Sequence, residues 1–180
     1  VGFDLNIERI AELKSGHDHT LEVDEAQLKD AKHLSYSDQQ AALEDSDIYI
    51  VTVPTPIDSA NRPDLTPLRK ASSMVGQVLK PGNIVIYEST VYPGCTEEVC
   101  VPILEQMSGL TYNVDFYCGY SPERVNPGDK VNTLTKIRKI TSGSTPDMAE
   151  QGDALYDSII EAGTFRAAPS PVGEAAGVSG

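Results

Sequence analysis

The chain has 180 residues and a mass of 19.4 kDa, with 39% hydrophobic and 23% charged residues, which fits a globular chain with one buried core. Its 14 Lys and Arg against 27 Asp and Glu give a formal net charge of -13 and a pI near 4.5. That charge repels phosphates and anionic lipid heads, so no nucleic-acid and no membrane partner is expected. No apolar run approaches the roughly 20 residues of a membrane span and Val1 opens without a basic leader, so the expected location is cytoplasmic.

In chain order, Val1 to Asp4 reads as a short strand, followed by Ile7, Ile10, Ala11 and Leu13 at helical spacing until Ser15-Gly16. Asp24 to Ala31 predicts one or two helical turns, Leu34 to Tyr36 a strand, and Asp38 to Leu43 a short helix capped by Ser37 or Asp38. Asp47 to Val53 is β-branched and almost continuously apolar, the pattern of a strand buried on both faces. Asp64 can cap a helix to about Leu79 with Leu68, Ala71, Val75 and Leu79 along one stripe, and Lys80-Pro81-Gly82 ends it. Asn83 to Glu88 is a second buried strand. Pro93-Gly94 opens a helix with Val99, Ile103, Leu104 and Met107 at helical spacing, closed by Gly109. Phe116 to Tyr120 reads as a strand and Arg138 to Thr141 as a weaker one. Pro146 to Ile160 is a helix after a Ser-Thr cap, and Thr164 to Ala168 a last strand.

Short apolar strands alternating with helices predict an α/β fold with a doubly wound parallel sheet, because a parallel pair needs a crossover that a helix supplies. In such Rossmann-like sheets ligands bind beyond the carboxyl ends of the strands. The residues there are Asp4, then Pro54-Thr55-Pro56, then Ser89-Thr90-Val91, then Ser121-Pro122-Glu123-Arg124. Cys95, Cys100 and Cys118 have no CxxC spacing and read as small buried hydrophobes, while His17, His19 and His33 lack metal-ligand spacing, so no metal is expected.

An acidic residue closing the second strand of a dinucleotide fold accepts hydrogen bonds from the adenosine ribose and repels a 2'-phosphate, which makes Asp4 a candidate NAD contact. An Asp between a strand and a helix also serves simply as a cap. The glycine-rich phosphate loop expected about 20 residues upstream of such an Asp has no room before Val1, and no GxGxxG or GxxxxGK[ST] occurs elsewhere. The fold is therefore expected to lack its first strand and phosphate-binding loop. Residues 1–168 would form a partial dinucleotide-binding domain, and residues 169–180 a stub of a connecting helix or a disordered tail.

Four segments, VGFDLNIERIAELKSG, DIYIVTVPTP, YESTVYPGCTEE and YSPERVNPGDK, resemble in this order the UDP-glucose/GDP-mannose dehydrogenase family of nucleotide-sugar oxidoreductases. The resemblance spans nearly the whole chain, and SPERVNPGD is most similar to the branch that oxidises UDP-N-acetylhexosamines to uronic acids for surface polysaccharides. It implies that Asp4 and Arg9 hold the adenosine ribose and its neighbouring phosphate, and that Val53, Pro54 and Thr55 line the nicotinamide side. Ser89, Thr90 and Val91 would contact NAD near the reacting centre, Thr90 being counted with the catalytic residues. Glu123 would be the acid/base residue and would also face the UDP-sugar substrate beside Arg124. A carboxylate at a strand end in a partly closed cleft suits proton transfer. The implied reaction is two successive hydride transfers from the C6 alcohol of the sugar to NAD, through an aldehyde held on a cysteine, in a protein that is a homo-oligomer at full length.

Three departures from the family pattern stand out. The phosphate loop is missing, the family's catalytic cysteine has no match, and Gly177 in Val172 to Val178 stands where a connecting helix carries a Lys. By itself the chain is expected not to turn over. A non-catalytic Rossmann-like module, a degenerate paralogue that kept the sheet and lost the chemistry, is the competing reading. A β-hydroxyacid dehydrogenase relative would share the fold but gives no reason for SPERVNPGD.

Overall fold

A computed structural model describes residues 1–20, 22–57, 62–123 and 134–167. Arg124 and the tail from residue 168 lie outside the described residues, and with them the expectations placed on Arg124, Gly177 and residues 169–180. The described residues fall into two compact units, one up to residue 45 and one from residue 46 onward.

In the first unit β1 (Gly2–Phe3) pairs in parallel with β2 (Tyr36–Ser37), which starts two residues and ends one residue later than Leu34 to Tyr36 suggested. Helix α1 (Ile7–Lys14) starts at Asn6, whose side chain accepts from the backbone N–H of Glu8 and Arg9. Helix α2 (Glu25–Asp30) opens on a reciprocal box between Asp24 and Gln27. The expected helix after Ser37 is only a 3-10 turn, Gln40–Leu43, with no side-chain cap.

The loop after α1 is organised by a buried carboxylate. Asp18 accepts from the N–H and hydroxyl of Thr20 and from the N–H of Glu22 and Val23, and meets Arg9 Nη2 at 2.7 Å. Burial alone would raise its pKa, but the bonds from Thr20, Val23 and Arg9 outweigh burial and hold the carboxyl well below the usual carboxylate range.

The second unit contains a five-stranded sheet in the order β3 (Ile48–Val51), β4 (Ile84–Tyr87), β5 (Tyr117–Tyr120), β6 (Lys139–Gly143), β7 (Thr164–Arg166). Helix α3 (Thr66–Val78) connects β3 to β4, and α4 (Val101–Ser108) lies between β4 and β5. Helix α5 (Pro146–Asp157) lies between β6 and β7, with Thr145 as its cap. Every residue of β4 is buried, as its continuous apolar run predicts.

Three expectations need correction. β3 is shorter than Asp47 to Val53 and is buried on one face only: Tyr49 and Val51 are buried, whereas Ile48 and Ile50 are 38% and 46% exposed. Among the described residues β3 has a strand neighbour on one side alone, β4, and its second face is only partly covered. The sheet is also not parallel throughout, because β6 runs antiparallel to β5, with Gly119 opposite Gly143 and Tyr120 opposite Ser142. An antiparallel pair needs no helical crossover, and the described part of the connection holds only a 3-10 turn, Leu134–Lys136.

The third correction concerns the helix after Pro93-Gly94. It begins with a π turn, Thr96–Cys100, and only then becomes α4, whose second residue, Pro102, has no N–H to donate. Val99 and Leu104 are buried as expected, but Met107 is exposed.

Candidate functional site

Three parallel strands deliver the residues that follow them to one end of the five-stranded sheet. β3 runs out into Val53, Pro54 and Thr55, β4 into Glu88, Ser89, Thr90 and Val91, and β5 into Ser121, Pro122 and Glu123. Backbone pairing continues past the strands: Glu88 N donates to Val51 O at 2.9 Å, Ser121 N to Tyr87 O at 2.9 Å and Glu123 N to Glu88 O at 3.3 Å. The Ser89 hydroxyl donates to Val53 O at 2.5 Å, tying the turn after β4 to the turn after β3. The Ser121 hydroxyl donates to Ile140 O at 2.8 Å and ties β5 to β6. The site residues are therefore set by the ladder rather than by free loops.

Exposure separates their possible roles. Ser89 and Val91 are buried and shape the wall, whereas Thr90 and Glu123 reach solvent. The Thr55 hydroxyl oxygen, between two prolines, is enclosed and has no hydrogen-bond partner among the described residues. Buried hydroxyls are ordinarily paired, so an orphan at a strand end suits a ligand amide or hydroxyl.

Because β6 is antiparallel, its first residue, Lys139, lies at the same end of the sheet as Glu123. The Lys139 side chain is only 4% exposed, and its Nζ lies 3.1 Å from Glu88 Oε1 and 3.3 Å from Glu123 Oε2. It also sits 5.2 Å from the centre of the Tyr156 ring, on α5. The Tyr156 hydroxyl donates to Glu88 Oε1 at 2.5 Å. Burial, reinforced by the neighbouring Glu88 charge, raises the Tyr156 phenol far above its ordinary value, so it stays protonated as a donor.

Of the residues singled out from the sequence, Val53, Pro54, Thr55, Ser89, Thr90, Val91 and Glu123 thus share one sheet end. Asp4 and Arg9 belong to the other unit. Asp4 follows β1 and is exposed, with Oδ1 accepting from Asn6 N at 2.8 Å, the local turn that an Asp in this position commonly makes. Arg9 is held by Asp18 at 2.7 Å and by Glu12 at 3.2 Å. Glu88, Lys139 and Tyr156 escaped the sequence reading. Glu88 stands next to Ser89 and could have been included on position alone, but nothing in the local pattern marks the other two.

All three cysteines are fully buried and none forms a disulfide among the described residues; burial with the nearby Glu97 charge drives the Cys118 thiol up, whereas a hydrogen bond with Cys95 lowers that of Cys100. Among the described residues no helix is long and apolar enough to cross a membrane.

The NAD binding domain model of the UDP-glucose/GDP-mannose dehydrogenase family matches residues 1–160. The UDP-N-acetyl-D-glucosamine 6-dehydrogenase of Pseudomonas aeruginosa is 60% identical over 99% of this chain and 42% of that protein. The Salmonella typhi enzyme of the same name is 58% identical over the same shares. Among solved structures, the UDP-D-ManNAc dehydrogenase of Pyrococcus horikoshii superposes with a TM-score of 0.85 at 33% identity, over 96% of this chain and 42% of that one. The chain spans about two fifths of the length of these relatives. The match over residues 1–160, on a sheet whose strand ends are laced together, shows that the chain belongs to the UDP-glucose/GDP-mannose dehydrogenase family, as an NAD-binding domain.

Proposed function

We propose that the chain is the cofactor-binding part of an NAD-dependent dehydrogenase that oxidises the C6 alcohol of a UDP-N-acetylhexosamine to the uronic acid. The observation that carries this reading is the cluster at the ends of β3, β4 and β5, where an unpaired Thr55 hydroxyl, the exposed Thr90 and the anchored Glu123 carboxylate converge on one sheet end. Bound NAD supplies the hydride acceptor. Val53, Pro54, Thr55, Ser89, Thr90 and Val91 form the wall that orients it. Asp4 receives the ribose hydroxyls and favours NAD over NADP by its charge, and Arg9 neighbours the phosphate.

Glu123 exchanges a proton with, or orients, the water that releases the oxidised sugar, with Thr90 close to the reacting centre and Arg124 beside the substrate. The relatives at 58% and 60% identity are both named for UDP-N-acetyl-D-glucosamine, which supports the gluco epimer. The full-length protein would be a cytoplasmic homo-oligomer that supplies uronic acids for surface polysaccharides.

The test is NADH formation by the full-length polypeptide carrying this segment, with UDP-N-acetyl-D-glucosamine and UDP-N-acetyl-D-mannosamine compared. Oxidation of an alcohol to an acid removes four electrons, so two NADH per sugar are expected. No NADH from either sugar would overturn the reading and leave the non-catalytic module.

A further inference from the structure

We infer that Lys139 is a positioning residue for Glu123: the buried ammonium fixes the direction of the acid/base carboxylate. This rests on the role of Glu123 proposed above. A lysine is seldom buried without partners, and this one is enclosed on three sides, by Glu88, Glu123 and the Tyr156 ring.

The cluster is asymmetric. Glu88, 12% exposed, is held twice, by Lys139 and by the Tyr156 hydroxyl. Glu123, 39% exposed, has its backbone N–H tied to Glu88 O, while its carboxylate meets the ammonium with Oε2 and stands at the surface of the sheet end. Tyr156 and Glu88 thus lock the ammonium, and the ammonium in turn aims Glu123.

Removing the cation has a specific consequence. Two carboxylates then share the sheet end without the buried ammonium between them, and Glu123 loses the contact that sets the direction of its Oε2. Fully exposed ion pairs hold side chains poorly because water screens them, but here the cation itself is buried. A proton-transferring group displaced by about 1 Å can lose on the order of a hundredfold in rate.

A double-mutant cycle in the full-length polypeptide tests this. Wild-type turnover comes first, since an inactive wild type counts against the proposed function and not against Lys139. Lys139→Met is expected to lower kcat by roughly 10- to 100-fold while leaving the KM for NAD within about twofold. In the Glu123→Gln background the same substitution is expected to change kcat by less than about twofold, because its effect passes through Glu123.

An unchanged kcat in Lys139→Met, or equal fold losses in both backgrounds, would overturn the inference. Should Lys139→Met fail to fold, the cycle is repeated in a Glu88→Gln background, where no uncompensated buried carboxylate remains. Failure of that variant to fold as well would make Lys139 a structural residue and overturn the inference too.

Discussion

The Thr55 hydroxyl is buried without a hydrogen-bond partner among the described residues. A buried hydroxyl without a partner costs about 1–3 kcal/mol, and the cost is recovered only when something bonds to it. Thr55→Val keeps the volume and removes the orphan. It is therefore expected to stabilise the free protein by about 1 kcal/mol in a thermal melt. In the full-length polypeptide it should weaken NAD binding about tenfold, equivalent to about 1.4 kcal/mol, by calorimetric titration. Unchanged NAD affinity would remove Thr55 from the cofactor wall. Glu123→Gln makes the complementary case: NAD affinity within about twofold of wild type with turnover reduced by at least about a hundredfold. Equal loss of both would make Glu123 a cofactor contact instead.

Two elements carry predictions of their own. Gly143 ends β6 under α5, and a Cβ built there would lie 2.3 Å from Ala149 N and 2.7 Å from Ala149 Cα. No rotamer relieves a clash with backbone, so Gly143→Ala must push α5 away. The expected cost is about 2–3 kcal/mol in urea unfolding. Because α5 also carries Tyr156, the same change should loosen the Glu88 and Lys139 cluster.

The loop after α1 depends instead on charge. The Asp18 carboxyl is held below its unfolded value, about 3.9, so its contribution to stability is present above that pH and is lost as pH falls toward the folded value. Asp18→Asn is expected to cost about 2 kcal/mol near pH 7, with the gap to wild type closing below about pH 4. A gap that stays constant down to pH 2 would show that the carboxylate charge is not what holds the loop.

Across the molecule, strand edges and net charge act in opposite directions. β3 has only β4 beside it and β1 only β2 among the described residues, so each presents a row of backbone N–H and C=O groups. Ile48 and Ile50 add a partly exposed apolar face to β3. Such edges invite pairing with another chain. A net charge of -13 opposes it at long range, over a distance that falls from about 10 Å at 0.1 M salt to about 3 Å at 1 M. Sedimentation of this chain alone should therefore show self-association that rises with both concentration and salt. A sharp monomeric boundary and a concentration-independent melt across both ranges would exclude edge pairing.

What the sequence determined by itself is whatever rests on neighbours along the chain. The continuous run Ile84 to Tyr87 is buried on every residue, Gly109 closes its helix at φ 72°, and Thr145 caps α5. The order of strands and helices along the chain already set Thr55, Ser89 and Glu123 at one end of the sheet. Tertiary structure alone decided the direction of β6 and the single covered face of β3. An alternating apolar pattern is the same for a strand running either way, and local composition does not reveal which of two faces a distant element covers. The Lys139 cluster is a product of that direction. A parallel β6 would have carried Lys139 to the opposite end of the sheet, and only the antiparallel pairing with β5 sets its ammonium beside Glu88, Tyr156 and Glu123.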